Sequence, residues 1–310
     1  MLFFLPKSVK GIISVILYFF NTLCCFLFLL PIITLKLIVP IPFIRKWCNI
    51  YLDRVASLWI SINNWNTRLT KKINWHISGL DTLNTKNWYL VISNHQSWVD
   101  ILVLQKIFNH KIPFLKFFLK KELIWVPILG LAWWGLDYPF MKRYPKSLLR
   151  RKPHLKGKDI EITRRACQKF KDKPVSIMNF VEGTRFTVDK HKEQSSPYSN
   201  LLRPKSGGIA FVLAAMGDQI GNILNVTIVY PTEKKSFWQF VCGEVTDIIV
   251  SVEVLPVYDH LIGDYFEDQK FKESFQNTLN DLWAQKEQKI KVMKQEWIKL
   301  KDQPKRLNAN

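Results

Sequence analysis

Residues 88–108 read WYLVISNHQSWVDILVLQKIF, and this stretch decides the fold. Trp88 to Ser93 is an apolar, β-rich run of the length expected for a strand buried on both faces. A helix follows from about Trp98 to Phe108. Between them stand Asn94, His95, Gln96 and Ser97, with Asp100 about one turn into the helix. A strand running straight into a helix is the unit of an α/β domain, and its junction is where such domains place reactive groups.

Outward from this unit, strand-like and helical stretches keep alternating. Tyr138 to Lys142 reads as a strand, Asp159 to Lys171 as a helix, and Val175 to Val181 as a buried strand. Gly207 to Met216 reads as a helix, Leu224 to Tyr230 as a strand, and Phe237 to Leu255 as one or two more. A long charged amphipathic helix from about Glu267 to Lys301 precedes Pro304 and a polar tail. The expected fold class is α/β, with a central mixed sheet flanked by helices and an N-terminal membrane-anchoring helical segment. Residues 1–72 are assigned to that segment, 73–302 to the sheet domain and 303–310 to the tail. Phe114 to Phe140 concentrates Trp125, Trp133 and Trp134 around Lys116, Lys120 and Lys121, and two readings stay open for it: a buried helix, or a surface that dips into lipid.

The anchor rests on a simple length argument. Gly11 to Leu35 contains no charged residue, and a helix rising about 1.5 Å per residue over that stretch exceeds the roughly 30 Å hydrocarbon core. Lys7 and Lys10 precede the run as in a signal peptide, but the run is too long and no small-x-small cleavage site follows. Pro31 and a second apolar stretch from Leu37 to Ile44 allow either one tilted span or a re-entrant hairpin. Arg45 to Thr70 then reads as an amphipathic helix.

Composition narrows the class of partner. A net charge of +20 favours an anionic partner, and 12 Trp within an aromatic fraction of 14% favour the water–lipid boundary over nucleic acid. The five cysteines include no C-x-x-C pair, so reduced thiols and a domain on the cytoplasmic face are expected, without a metal site. Lys142 to Lys158 carries eight basic residues, Arg143 and Arg151 among them, and no acidic one; most of these charges read as a solvated loop.

Two constellations carry chemistry. His95 and Asp100 can meet only if the residues between them are not yet helical, a condition the preceding strand supplies. Such a carboxylate fixes one imidazole tautomer and frees the other ring nitrogen to take a proton from a hydroxyl. Spacing alone is no evidence: His76 and Asp81 share it without a junction to hold them together. No G-x-S-x-G elbow is present, so the activated hydroxyl belongs to the substrate. The second constellation is Glu182, Gly183, Thr184 and Arg185 at the end of a strand, where Gly admits close backbone approach and Arg presents a planar fork to phosphate.

Asn94 to Asp100 resembles the N-H-x-x-x-x-D block of the glycerolipid acyltransferase family, the lysophosphatidic acid acyltransferases, and Glu182 to Arg185 matches its E-G-T-R block. Gly135 to Arg143 and Val226 to Pro231 resemble its two weaker blocks, in order, although Phe140-Met141-Lys142-Arg143 departs from the common bacterial form of the former. The resemblance implies that His95 is the general base and Asp100 its orienter, and that Asn94, Arg143, Glu182, Gly183, Thr184 and Arg185 form the acceptor site. It implies acyl-CoA or acyl carrier protein as co-substrate, no further cofactor, and a lysophospholipid acceptor in a phospholipid bilayer at the cytoplasmic membrane. The alternatives are remodelling of another lysophospholipid, a phosphate-binding hydrolase, and a non-enzymatic basic tether. His76, His110, His154, His191 and His260 lie outside any organising junction and read as surface or packing residues.

Overall fold

The computed structural model describes residues 2–141, 151, 170, 173–265 and 267–307. α1 (Lys7–Ile38) runs unbroken through Pro31. The chain reverses at 39–41, and α2 (Pro42–Thr70), opened by a proline at its first turn, folds back antiparallel along it. The N-terminal segment is therefore a helical hairpin, with its turn after α1 and no break at Pro31.

This hairpin is inverted relative to one in a water-soluble protein. Phe19, Phe20, Leu27 and Phe28 are exposed, whereas Ser14 and Asn21 of α1 and Asn63, Asn66 and Thr70 of α2 are buried between the helices. Asn21 Nδ2 donates to Asn63 Oδ1 at 2.7 Å and to the Trp59 carbonyl at 2.9 Å. Ser14 Oγ donates to Asn66 Oδ1, and Lys71 Nζ donates to Ser14 Oγ at 2.7 Å. Polar groups inside and aromatics outside is the arrangement a lipid solvent favours. The 32 residues of α1 are long and apolar enough to cross a bilayer.

The remaining chain builds a six-stranded mixed sheet. Its strands are β1 (Asn74–Ser78), β2 (Trp88–Ser93), β3 (Leu115–Phe117), β6 (Ser176–Phe180), β7 (Ile220–Val229) and β8 (Asp247–Pro256), in the order β1-β8-β7-β2-β6-β3. Every pair is parallel except β7 with β8. A separate two-stranded ribbon joins β4 (Leu119–Lys120) to β5 (Phe140–Met141). β2 is central and buried on both sides, which explains its continuous apolar run. Tyr89 and Val91 face one core with α3 (Val99–Phe108) and the hairpin. Leu90 and Ile92 face the other, closed by α6 (Gly207–Met216) and α8 (Gln269–Leu307), whose Trp283 is fully buried. The expected fold class, a mixed sheet flanked by helices, is what forms.

Several local expectations change. Phe114 to Phe140 is not one buried helix: it supplies β3, β4, a 3-10 turn at Lys121–Trp125, α4 (Leu129–Gly135) and β5. Lys116 is buried while Trp125 is 86% exposed. Phe237 to Leu255 contains one strand, β8, preceded by the short capped helix α7 (Phe237–Val241). β1 was not anticipated, because its alternation is masked by polar residues on a mostly exposed edge strand. α8 continues to Leu307 rather than stopping before Pro304. The helix expected at Asp159 to Lys171 lies outside the described residues.

The hairpin is locked to the sheet domain at both ends of α1. Gly135 of α4 leaves room for Ile33, and Lys36 Nζ reaches the Gly135 carbonyl at 2.8 Å and Asp137 Oδ2 at 2.6 Å. At the other end Gly11 packs against Cys242 and Trp238 beside α7. Cys24, Cys25, Cys48 and Cys242 are all free.

Candidate active site

β2, β6 and β7 are mutually parallel neighbours, with Ser93 in register with Phe180 and with Val226. Their C-terminal ends therefore deliver three loops to one place: Asn94 to Trp98, Val181 to Thr187, and Tyr230 onward. α3 starts only at Val99, so His95 sits in the loop between β2 and α3 and can turn back toward Asp100 in the first helical turn. His95 Nδ1 lies 2.9 Å from Asp100 Oδ2. The same oxygen accepts the backbone N–H groups of Gln96 at 2.6 Å and Ser97 at 2.8 Å. A carboxylate on Nδ1 makes that nitrogen the protonated one in the neutral ring and leaves Nε2 as the basic position. The Phe180 ring stacks on the imidazole at 3.8 Å and 13°, which fixes the ring plane. By contrast His76 turns to Asp247 at 3.6 Å, not to Asp81.

The loop after β6 holds the second constellation. Gly183 has φ +70°, a left-handed conformation that glycine adopts without strain, and it closes the turn through a 2.9 Å bond from its N–H to the Phe180 carbonyl. Arg185 lays its guanidinium over the exposed Trp98 ring at 4.6 Å. No carboxylate pairs with Arg185 among the described residues, so its charge is available to an anion. Thr184 Oγ1 accepts from Lys190 Nζ at 2.7 Å, and Lys190 belongs to α5 (Val188–Glu193), which Thr187 caps.

His95, Trp98 and Gly183 to Arg185 stand together in the wall of a cavity of about 600 Å³, whose other polar lining residues include Thr22, Gln105, Lys120 and Asn179. The remainder is mostly apolar and comes from distant elements: Cys25 and Leu29 of α1, Ala56 and Trp59 of α2, Phe117 of β3, and Leu129 and Ala132 of α4. That volume falls within the range of roughly 300–1,000 Å³ typical of pockets for organic ligands. An apolar chamber with an imidazole and a guanidinium at one part of its wall suits a ligand with a long hydrocarbon part and an anionic head.

A family model described as Acyltransferase matches residues 74–231, just over half of the chain, including His95, Asp100 and the Glu182–Arg185 turn. The chain belongs to the Acyltransferase family. Among curated proteins, this acyltransferase is 28% identical over 173 residues to the 1-acyl-sn-glycerol-3-phosphate acyltransferase 3 of Arabidopsis thaliana, a match covering 51% of this chain and 42% of the relative. The match thus spans less than half of that relative's length. Among solved structures, the 1-acyl-sn-glycerophosphate (LPA) acyltransferase PlsC from Thermotoga maritima is 13% identical with a TM-score of 0.49, over 90% of this chain and 98% of that one.

Within the acyltransferase domain, two residues expected to touch substrate are turned to other work. Asn94 is fully buried; its Nδ2 donates to the Ile228 carbonyl and its Oδ1 accepts from the Ile228 N–H, both at 2.9 Å. It replaces a missing rung between β2 and β7. Glu182 is equally buried, and its two oxygens accept the N–H groups of His95 at 3.2 Å and Leu202 at 3.1 Å. Burial pushes its carboxyl up to about 8. Both residues brace the site from behind, and neither is free to meet a ligand. Arg143 and most of the basic Lys142 to Lys158 segment lie outside the described residues.

Four contributors escaped the sequence reading. Tyr230 donates its hydroxyl to Asp100 Oδ1 at 2.7 Å. Lys235 reaches Gln96 Oε1 at 3.2 Å, and its carbonyl accepts from Ser97 Oγ. Lys190 carries a charge to the Thr184–Arg185 turn. Lys286 of α8 is buried behind the sheet, donating to the Val226 carbonyl at 2.7 Å and Thr227 Oγ1 at 3.1 Å, and burial pushes it down to about 7. Only Tyr230 stood in a block already singled out, Val226 to Pro231. Among the described residues no three His, Cys, Asp or Glu side chains group as a metal-holding set.

Proposed function

We propose that this chain transfers a fatty acyl group from a thioester, acyl-CoA or acyl carrier protein, to the free hydroxyl of a lysophospholipid, in the simplest case 1-acyl-sn-glycerol 3-phosphate to give phosphatidic acid. The observation that carries the proposal is the His95–Asp100 pair set in the wall of a largely apolar cavity beside an Arg185 that has no carboxylate partner among the described residues. His95 Nε2 takes the hydroxyl proton as the oxygen attacks the thioester carbonyl. The tetrahedral adduct collapses with cleavage of the C–S bond, and the departing thiolate takes the proton back from the imidazolium. The thioester supplies the leaving group, so no acyl-enzyme intermediate is needed.

Arg185, with Lys190 alongside, provides positive charge for the acceptor's phosphate, and Arg143 is proposed as a further basic contact on the strength of the family resemblance. Asn94 and Glu182 act as positioning residues behind His95, with Gly183 and Thr184 shaping the turn. The cavity accommodates acyl chain away from water, which favours transfer over hydrolysis. The inverted polarity of α1 and α2 supports a hairpin seated in a bilayer, with the basic domain on the cytoplasmic side.

The test is to incubate membranes carrying the protein with labelled acyl-CoA or acyl carrier protein and a panel of lysophospholipids, and to resolve the lipid products beside a His95→Ala control. A two-chain product that falls on the order of 10²–10⁴-fold in the variant is expected for a lost general base. Undiminished transfer by His95→Ala would remove His95 from the chemistry, and no transfer from either donor would leave the basic tether as the reading.

A further inference from the structure

Asp100 is more heavily engaged than orienting a histidine requires. Its Oδ2 already accepts three hydrogens, from His95 Nδ1, Gln96 N and Ser97 N. All three come from its own loop, and they leave the second carboxylate oxygen to be met from elsewhere. Among the described residues its Oδ1 has one partner, the Tyr230 hydroxyl at 2.7 Å, which arrives from just past the end of β7, 130 residues away. Tyr230 is 2% exposed and packed into the core cluster that also contains Tyr89, Val91 and Val99. Its backbone is held by the turn in which Glu233 N–H meets the Tyr230 carbonyl at 3.1 Å.

We propose that Tyr230 is a positioning residue of the acyl transfer, a rigid neutral donor from just past the end of β7 that restrains the orientation of Asp100 and tempers the negative charge its carboxylate presents to His95. The inference rests on the reading of His95 as general base. The physical reason is twofold. A donor anchored in another element holds the second carboxylate oxygen, Oδ1, which the local loop does not reach, and so adds a second point of restraint on the orientation of Asp100. A hydrogen bond to Oδ1 also draws carboxylate charge away from Oδ2, so the imidazolium formed during proton transfer is held less tightly and returns its proton to the leaving thiolate more readily.

Other charges facing the pair set the background. Glu182 bonds to the His95 N–H from β6, Lys235 sits on Gln96 from the loop after β7, Arg185 lies over Trp98, and Lys286 reaches β7 from α8. None of these bonds to Asp100 Oδ1, so a change at Tyr230 is felt at that oxygen first.

The experiment compares wild type, Tyr230→Phe and His95→Ala as full-length chains in membranes, measuring kcat and KM for acceptor across pH. For Tyr230→Phe, kcat should fall roughly tenfold, the size expected for loss of a hydrogen bond to a charged group, with KM for acceptor unchanged. The acidic limb of the profile should move to higher pH, because the untempered carboxylate holds the imidazolium more tightly. The position of that limb does not depend on how much protein is folded, so partial misfolding cannot imitate the shift. Should Tyr230→Phe be too slow to read, fluorotyrosine at 230, a stronger donor of nearly the same shape, should move the limb to lower pH. Loss of kcat with an unmoved limb, or unchanged kcat and limb, overturns the role of Tyr230 while leaving His95 in place; an active His95→Ala overturns the base assignment and the present inference with it.

Discussion

Arg185 lies on the Trp98 ring and, among the described residues, pairs with no carboxylate, so on the proposed reading it separates binding from chemistry at the level of one side chain. Arg185→Ala should raise KM for a phosphate-bearing acceptor by roughly 10–100-fold, the range for a lost charge-assisted contact, with a much smaller change in kcat; acceptor titrations at saturating donor check this. Glu182 makes a prediction about stability. Its carboxyl, raised by burial to about 8, keeps a proton that the unfolded chain releases near pH 4, so stability falls as pH rises between about 5 and 8. Lys286, lowered to about 7 by burial, acts in the opposite sense above about pH 7, where the unfolded chain still holds its proton and the folded one does not. The interval from about pH 5 to 7 therefore isolates Glu182, and melting curves there should decline with pH for wild type and stay flatter for Glu182→Gln. His95 and Asp100 were legible because strand, junction and helix are contiguous. Tyr230 and Lys190 were not, because their proximity is created by sheet order and a turn that no local spacing encodes. Asn94 and Glu182 were legible as important but not in kind, since only the completed sheet shows their oxygens and amides already spent on backbone.

Among elements, the contact between α1 and α4 is the most exacting. A Cβ at Gly135 would lie 2.4 Å from Ile33 Cγ1, closer than van der Waals contact allows. Gly135→Ala should cost about 1–3 kcal/mol by overpacking, read as a lower unfolding temperature in detergent, and Ile33→Ala combined with it should cost less than the sum of the single changes. Element legibility followed burial. β2 and α6 were bounded correctly because both are nearly all apolar, as central strands and core helices are. β1 was lost because an edge strand exposes most of its side chains. The buried-helix reading of Phe114 to Phe140 failed because short strands and turns wrap around a cavity there, giving an apolar composition without a period.

For the molecule as a whole, the hairpin and the sheet domain are not separable modules, since α1 and α2 contribute Cys25, Leu29, Ala56 and Trp59 to the cavity wall. Deleting residues 1–72 to obtain a soluble domain should therefore abolish acyl transfer even where the domain folds, while leaving the His95–Asp100 geometry intact; circular dichroism alongside product analysis separates the two effects. Ala132→Phe, which narrows the same chamber, should shift the preferred donor toward shorter acyl chains, measured by competition between acyl-CoA species of different length. This wholeness was not legible in the sequence, which marked the first 72 residues as an anchor followed by an amphipathic helix and placed none of their side chains at the site. The polar seam of the hairpin has a further consequence, one of timing. The carboxamide of Asn21 finds its partner in Asn63, 42 residues downstream, so while the ribosome is still making that stretch the Nδ2 of the nascent first helix lacks its side-chain acceptor. A hairpin that seats in a bilayer, as proposed above, satisfies that donor only when both helices enter together, and one delivered helix by helix would carry it unpaired in the interval.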